Sequence, residues 1–268
     1  KGTIMLTFIL LCLLVGSVVG FLAGLFGIGG GLIIVPTLVY LLPMIGVPEP
    51  LLMSTALGTS FATIVITGFS SAQRHHKLGN IVWGAVKILA PMVMLSVFIS
   101  GLFIGKLDRE VSAKIFACLV VYLAVKMMIS IKKSTGKTKP LTTQASVIGG
   151  ILIGMASSAA GVGGGGFIVP FLNSRGIDMK KAIGSSAFCG ALLGLSGMFS
   201  FMVSGWGNPS MPDYSLGYIY LPAVLGITAS SFFTSKLGAT ATSKLPVSTL
   251  KKGFALLLIA IAVDMFMK

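Results

Sequence analysis

The sequence predicts an all-α polytopic membrane protein built from two inverted repeats, and three observations carry that prediction. The 268 residues are 55% hydrophobic and only 10% charged, with a mean hydropathy of +1.00. Soluble domains carry about a quarter charged residues, so a water-soluble fold is excluded on composition. Several apolar stretches reach the roughly 20 residues that a helix needs to cross a bilayer. A glycine-rich motif also occurs twice, with the same features following it in the same order.

The first repeat, 1–131, reads as apolar segments at 3–26, 31–42, 54–72, 82–105 and 111–131. A polar linker at 132–143 follows, rich in lysine from Lys132 to Lys139. The second repeat, 144–268, has segments at 144–160, 165–173, 182–203, 217–235 and 250–267. The segment at 3–26 is too long for a signal-peptide core and precedes no small-residue cleavage site, so it is expected to be a retained span. The pieces at 31–42 and 165–173 are too short to cross comfortably. Each repeat is therefore expected to hold a glycine-broken helical hairpin plus three transmembrane helices, about 8–10 membrane segments in all.

The repeat is legible residue by residue. Gly27-Ile28-Gly29-Gly30-Gly31-Leu32-Ile33-Ile34-Val35-Pro36 returns as Gly161-Val162-Gly163-Gly164-Gly165-Gly166-Phe167-Ile168-Val169-Pro170. Ala56-Leu57-Gly58-Thr59-Ser60 returns as Ala182-Ile183-Gly184-Ser185-Ser186, and Lys106-Leu107 with Lys114 to Ala117 returns as Lys244-Leu245 with Lys252 to Ala255.

Loop charge sets an orientation. The net charge of +14 is confined to short loops between apolar spans, as the positive-inside rule produces, so a nucleic-acid partner is not expected. Arg74 and Lys77, Lys132 to Lys139, Arg175 with Lys180 and Lys181, and Lys236 to Lys252 fall on one, cytoplasmic, side. The uncharged turn at 204–212, the loop from Pro43 to Pro50 and the mixed-sign loop at 106–114 fall on the other. Each half then makes an odd number of crossings, and the halves must sit upside down relative to each other. Inverted repeats interrupted at matching positions point to a secondary transporter.

The interruptions also suggest the site. Non-helical backbone at membrane depth must be buried in protein or line a cavity. Gly27, Gly29, Gly30 and Gly31, with Gly161, Gly163, Gly164 and Gly165, lead into short helices whose N-termini carry unpaired N–H groups and partial positive charge. Glycine lets a ligand approach such groups closely. Inverted symmetry would bring the two N-termini together, making an anion site without a buried cation. Thr59 and Ser60, matched by Ser185 and Ser186, are candidate donors to the anion; the alternative is that these hydroxyls join helices by satisfying backbone carbonyls.

Other features read more plainly. Gly16, Gly20 and Gly24, Gly101 and Gly105, Gly150 and Gly154, and Gly190 and Gly194 are spaced for close helix packing. Cys12, Cys118 and Cys189 read as small buried residues, and no metal ligand set or cofactor motif is present. Lys87 and Lys126 are expected to snorkel to the interface, and Asp264 lies near the end of the last span. The Arg74-His75-His76-Lys77 loop reads either as a basic anchor or as an attractor of anions at the cytoplasmic mouth, with His75 handling a coupled proton. There is no acid pair, HExxH or nucleophile elbow, so no enzyme is expected.

At these residues the chain resembles the TauE/SafE sulfite-exporter family, also called the TSUP or 4-toluene sulfonate uptake permease family. The likeness rests on Gly27 to Pro36, Ala56 to Ser60, Arg74-His75 leading to Gly79-Asn80-Ile81-Val82-Trp83, and the second copy at Gly161 to Pro170 and Ala182 to Ser186. The second half lacks a counterpart of the Arg-His segment. The resemblance implies movement of sulfite, an organosulfonate or another small sulfur-containing or carboxylate anion across a bacterial inner membrane. The resulting expectation is alternating access with proton-coupled export; an anion channel using the same helix N-termini is the alternative.

Overall fold

The computed structural model describes residues 2–132, 140–246, 248–249, 252–253 and 256. The helices are α1 (Gly2–Phe26), α2 (Gly31–Leu41), α3 (Leu52–Lys77), α4 (Trp83–Ile104), α5 (Arg109–Lys132), α6 (Thr143–Ala160), α7 (Gly165–Ser174), α8 (Met179–Ser204) and α9 (Leu221–Lys244). Five of them are long and apolar enough to cross a membrane, and the chain is an all-α polytopic membrane protein. Apolar side chains such as Leu6, Leu14, Leu95, Phe103, Leu152 and Phe233 stand exposed on the outside of the bundle, as a lipid-facing surface requires. The segment at 250–267 lies outside the described residues except at 252–253 and 256, and Asp264 and the Lys126 side chain also lie outside them.

Small residues decide how the helices meet, because in lipid the helices gain from close packing rather than from hydrophobic burial. A methyl group on Gly16, Gly20 or Gly24 of α1 would collide with Ile227, Ser231 or Ser235 of α9. The same contact recurs between α6 and α4, where Gly150 and Gly154 lie against Leu89, Val93 and Ser96. Hydrogen bonds recur in the same way. Ser70 of α3 donates to the Phe232 carbonyl of α9 at 2.6 Å, and Ser196 of α8 donates to the Met94 carbonyl of α4 at 2.6 Å. The central contact is α3 against α8, where Gly194 packs on Phe61 and Val65, and Gly68 on Ala191.

The two short limbs, α2 with 11 residues and α7 with 10, are about 15 Å long, half the hydrocarbon thickness of about 30 Å. Each turns back toward the end at which its hairpin began. Met5, near the start of α1, meets the Tyr220 hydroxyl, and Tyr40 at the end of α2 shares a cavity with Leu52 and Arg109 at the same end. At the other end Arg175, just after α7, reaches the Pro140 carbonyl just before α6.

Several sequence-based boundaries are corrected. Arg74 to Lys77 form the last turn of α3 rather than a loop, where basic residues suit the helix dipole. Lys180 and Lys181 belong to the first turn of α8, and Lys236 lies within α9 with its ammonium 4.0 Å from the Phe232 ring centre. The segment expected at 217–235 starts as helix only at Leu221, with Pro222 in its first turn. Before it, Ser215–Leu216 and Ile219–Tyr220 form a two-residue antiparallel ladder around Gly217 at φ 58°. Cys12 and Cys189 are buried as expected, but Cys118 is exposed, because α5 packs lightly and shows that face outward. Lys87 is exposed one turn into α4, where it can snorkel.

Candidate functional site

The two glycine loops meet in the middle of the bundle. Gly27, Gly29 and Gly30 take φ values of 68°, 68° and 88°, and Gly161 and Gly164 take 58° and 64°. This left-handed backbone lets α1 and α6 stop and the short limbs begin. A methyl group on Gly29 would lie 3.1 Å from the Gly163 Cα, and one on Gly163 would lie 3.1 Å from the Gly29 Cα. Gly31, at the start of α2, abuts the carbonyl of Gly161, and Gly165, at the start of α7, abuts the carbonyl of Gly27. The two loops thus clasp each other, and each helix N-terminus also lies beside the carbonyl end of the opposite hairpin. No side chain caps α2 or α7 among the described residues.

The four matched hydroxyls stand around this clasp and bond reciprocally across the halves. Ser60 donates to the Gly161 carbonyl at 2.9 Å, and Ser186 donates to the Gly27 carbonyl at 3.2 Å. Thr59 accepts from the Tyr220 N–H at 3.0 Å, at the start of α9, and Ser185 accepts from the Val82 N–H at 2.9 Å, at the start of α4. All four are fully buried. Each hydroxyl therefore satisfies a backbone group that would otherwise be unpaired at membrane depth, the role of helix-joining glue. In this closed arrangement a ligand would have to displace the hydroxyls of Ser60 and Ser186 from their carbonyls.

Sequence reasoning missed Thr67, whose hydroxyl reaches the Gly29 carbonyl at 3.2 Å, and Ile64, whose side chain lies against both Gly29 and Gly163. The spacing of Ser60, Thr63 and Thr67, one turn apart on α3, was the available signal.

Arg74 and His75 lie apart from the clasp, near one end of the bundle. His75 is fully buried, with Nε2 3.2 Å from the Gly24 carbonyl and Nδ1 3.4 Å from the Asn80 side-chain amide. Asn80 also donates to the Ser243 hydroxyl at 3.1 Å, and Lys180 donates to the Ser243 carbonyl at 2.7 Å. Arg74 Nε donates to the Thr240 hydroxyl at 2.9 Å. The opposite end carries the two ion pairs found among the described residues, Arg109–Glu49 and Lys114–Glu110. These neutralise much of the loop at 106–114.

An all-helical membrane bundle with two broken hairpins clasped at its centre fits a membrane transporter. The chain belongs to the sulfite exporter TauE/SafE family, whose profile matches residues 12–265. It is 81% identical over 264 residues to a "probable membrane transporter protein" of Haemophilus influenzae, covering 98% of this chain and 100% of that one. A similarly described protein of Methanocaldococcus jannaschii is 29% identical over 238 residues, covering 88% and 86%. One of Bacillus subtilis is 25% identical over 279 residues, covering 96% of each. No solved structure matches. The family description and the relatives' names indicate a membrane transporter, not an enzyme.

Proposed function

We propose that the protein is a secondary transporter of the bacterial inner membrane that exports a small sulfur-containing or carboxylate anion, sulfite or an organosulfonate, by proton-coupled alternating access. The halves 1–131 and 144–268 act as inverted repeats that rock about the clasp, with the basic end cytoplasmic. The observation that carries this reading is the reciprocal clasp itself. The same contacts occur twice under exchange of the halves, so breaking one set while keeping the other gives two equivalent openings. The anion would be held by Gly27, Gly29, Gly30, Gly31, Thr59 and Ser60 with Gly161, Gly163, Gly164, Gly165, Ser185 and Ser186, using N–H groups freed when the clasp parts. The close contact of Gly29 with Gly163 favours a carrier over an open pore.

His75 suits the coupled proton. Its hydrogen bonds fit a neutral ring, with Nε2–H donating to Gly24 and Nδ1 accepting from Asn80. A proton arriving at Nδ1 would turn that acceptor into a donor and force the Asn80 amide to turn over. Arg74 and Lys180 are the cations nearest in this bonded cluster, and the Asp178 carboxylate joins it by accepting from the Lys180 backbone N–H at 2.9 Å.

The test is reconstitution in liposomes, with uptake of sulfite, taurine-like sulfonates and thiosulfate measured with and without a pH gradient. Saturable, gradient-sensitive flux is expected, and His75→Gln should flatten its pH dependence. Uncoupled current would instead favour a channel, and absence of flux for all three would overturn the anion assignment.

A further inference from the structure

The pairing of the two halves makes their differences informative. Along α3, Ser60, Thr63, Thr67, Ser71 and His75 recur once per turn, each at most 1% exposed, and run from the glycine clasp to the basic end. The matched positions of α8, which run from the clasp to the opposite end, are Ser186, Cys189, Leu193, Gly197 and Phe201. One stripe is polar throughout and the other loses its polarity after its first residue. The mouths differ in the same sense. At the basic end Lys180 caps the Ser243 carbonyl at the end of α9, and at the opposite end Ser54 caps the Gly105 carbonyl at the end of α4, at 3.1 Å. Arg74 likewise stands where α8 has Ser200, whose hydroxyl donates to the Phe98 carbonyl at 2.8 Å.

One of these features makes little structural sense in the closed form alone, and a second leaves its charge free to act. The Ser71 hydroxyl is buried and has no hydrogen-bond partner among the described residues, which penalises the fold relative to alanine. Lys180 follows the α8 N-cap Asp178, whose carboxylate accepts from the Lys180 backbone N–H at 2.9 Å, while the Lys180 ammonium and the Arg74 guanidinium themselves bond neutral oxygens among the described residues. A partly buried cation whose side chain forms no ion pair among the described residues can attract an anion, and an orphaned hydroxyl is a donor open to water or a ligand.

We propose that the buried polar stripe of α3 is the route by which the transported anion passes between the glycine clasp and the basic end, with Arg74 and Lys180 receiving it at the mouth and Ser71 contacting it on the way. The route rests on the transporter reading above and adds to it a direction: the basic end is the high-affinity face. The opposite end has only serines at the matched mouth positions and an apolar stripe behind them, so it holds the anion weakly and releases it.

The test uses membrane vesicles of both orientations carrying the full-length protein, with radiolabelled sulfite, or taurine where sulfite does not saturate. The variants are Lys180→Ser, which removes the cation and installs the residue the chain itself uses at Ser54, and Ser71→Ala. Both should remain folded, and Ser71→Ala should melt no lower than the unaltered protein, because it removes an unsatisfied group. Each is expected to raise KM for anion presented at the basic face by about tenfold and to leave KM at the opposite face unchanged, the equivalent of about 1.4 kcal/mol of lost binding. An unchanged basic-face KM in either variant, or equal changes at both faces, would overturn the route. Saturable flux in the unaltered protein with unchanged variants overturns this inference alone, whereas no flux in the unaltered protein overturns the transporter reading with it.

Discussion

Gly163→Ala probes the clasp with a single methyl group. Gly163 is not in the left-handed region, so alanine adds no backbone strain there, and the cost is steric. The added carbon would lie 2.7 Å from the Ile64 Cγ2 and 3.1 Å from both the Gly29 Cα and the Ile28 carbonyl. The two backbone neighbours belong to the opposite hairpin and cannot withdraw without opening the clasp; only Ile64 can yield. Overpacking of this kind costs about 1–3 kcal/mol. Gly29→Ala meets the Ile64 side chain and the Gly163 Cα, and it also holds φ at 68°, which adds about 1–2 kcal/mol. Ile64→Ala alone should cost about 2–5 kcal/mol as a core truncation. In the Gly163→Ala background, however, it also removes the nearest clash while the two backbone contacts stay, so the double variant should be more stable than the sum of the two by about 1 kcal/mol. Apparent melting temperatures in detergent, with flux measured in liposomes on the same samples, make up the cycle. At about 2–4 °C per kcal/mol for a chain of this size, the coupling is measurable. Additive losses would refute the argument, because they would mean that Ile64 does not fill the space between the two glycine loops.

Two further outcomes follow from the same geometry. Thr59→Val unpairs the buried Tyr220 N–H and should lower stability by about 1–3 kcal/mol in thermal unfolding, Ser185→Val unpairs the part-buried Val82 N–H and should cost less, and Thr59→Ser is nearly neutral. The Arg109–Glu49 pair is largely exposed at its glutamate, so Glu49→Gln should cost less than about 1 kcal/mol in the same assay and leave flux intact.

Much of the fold is legible in the sequence, and the physical reasons are specific. Membrane helices must satisfy their own backbone, so composition and segment length predict an all-helical polytopic fold, and glycine clusters mark where the helices break. The spacing of Gly16, Gly20 and Gly24 likewise predicts a close helix contact, though not that its partner is α9. Helix ends are less legible. Charge alone places Arg74 to Lys77 and Lys180 in loops, because one-dimensional patterning cannot see that a basic turn is held by carbonyls and hydroxyls of a helix more than 60 residues away.

The hydroxyls show the division most clearly. Their identity and pairing can be read from the duplicated motif at Thr59-Ser60 and Ser185-Ser186. Their partners cannot, since the Gly161 and Gly27 carbonyls and the Tyr220 and Val82 N–H groups are brought to them only when the halves pack against each other. Hydropathy and glycine spacing act along the chain, which is why the membrane fold, the repeat and the positions of the breaks are written in the order of the residues. Hydrogen bonds between distant backbones and the buried stripe of α3 exist only in three dimensions. Packing therefore sets the rest: the glycine loops clasp each other, His75 is buried, and the two ends of the bundle differ in polarity.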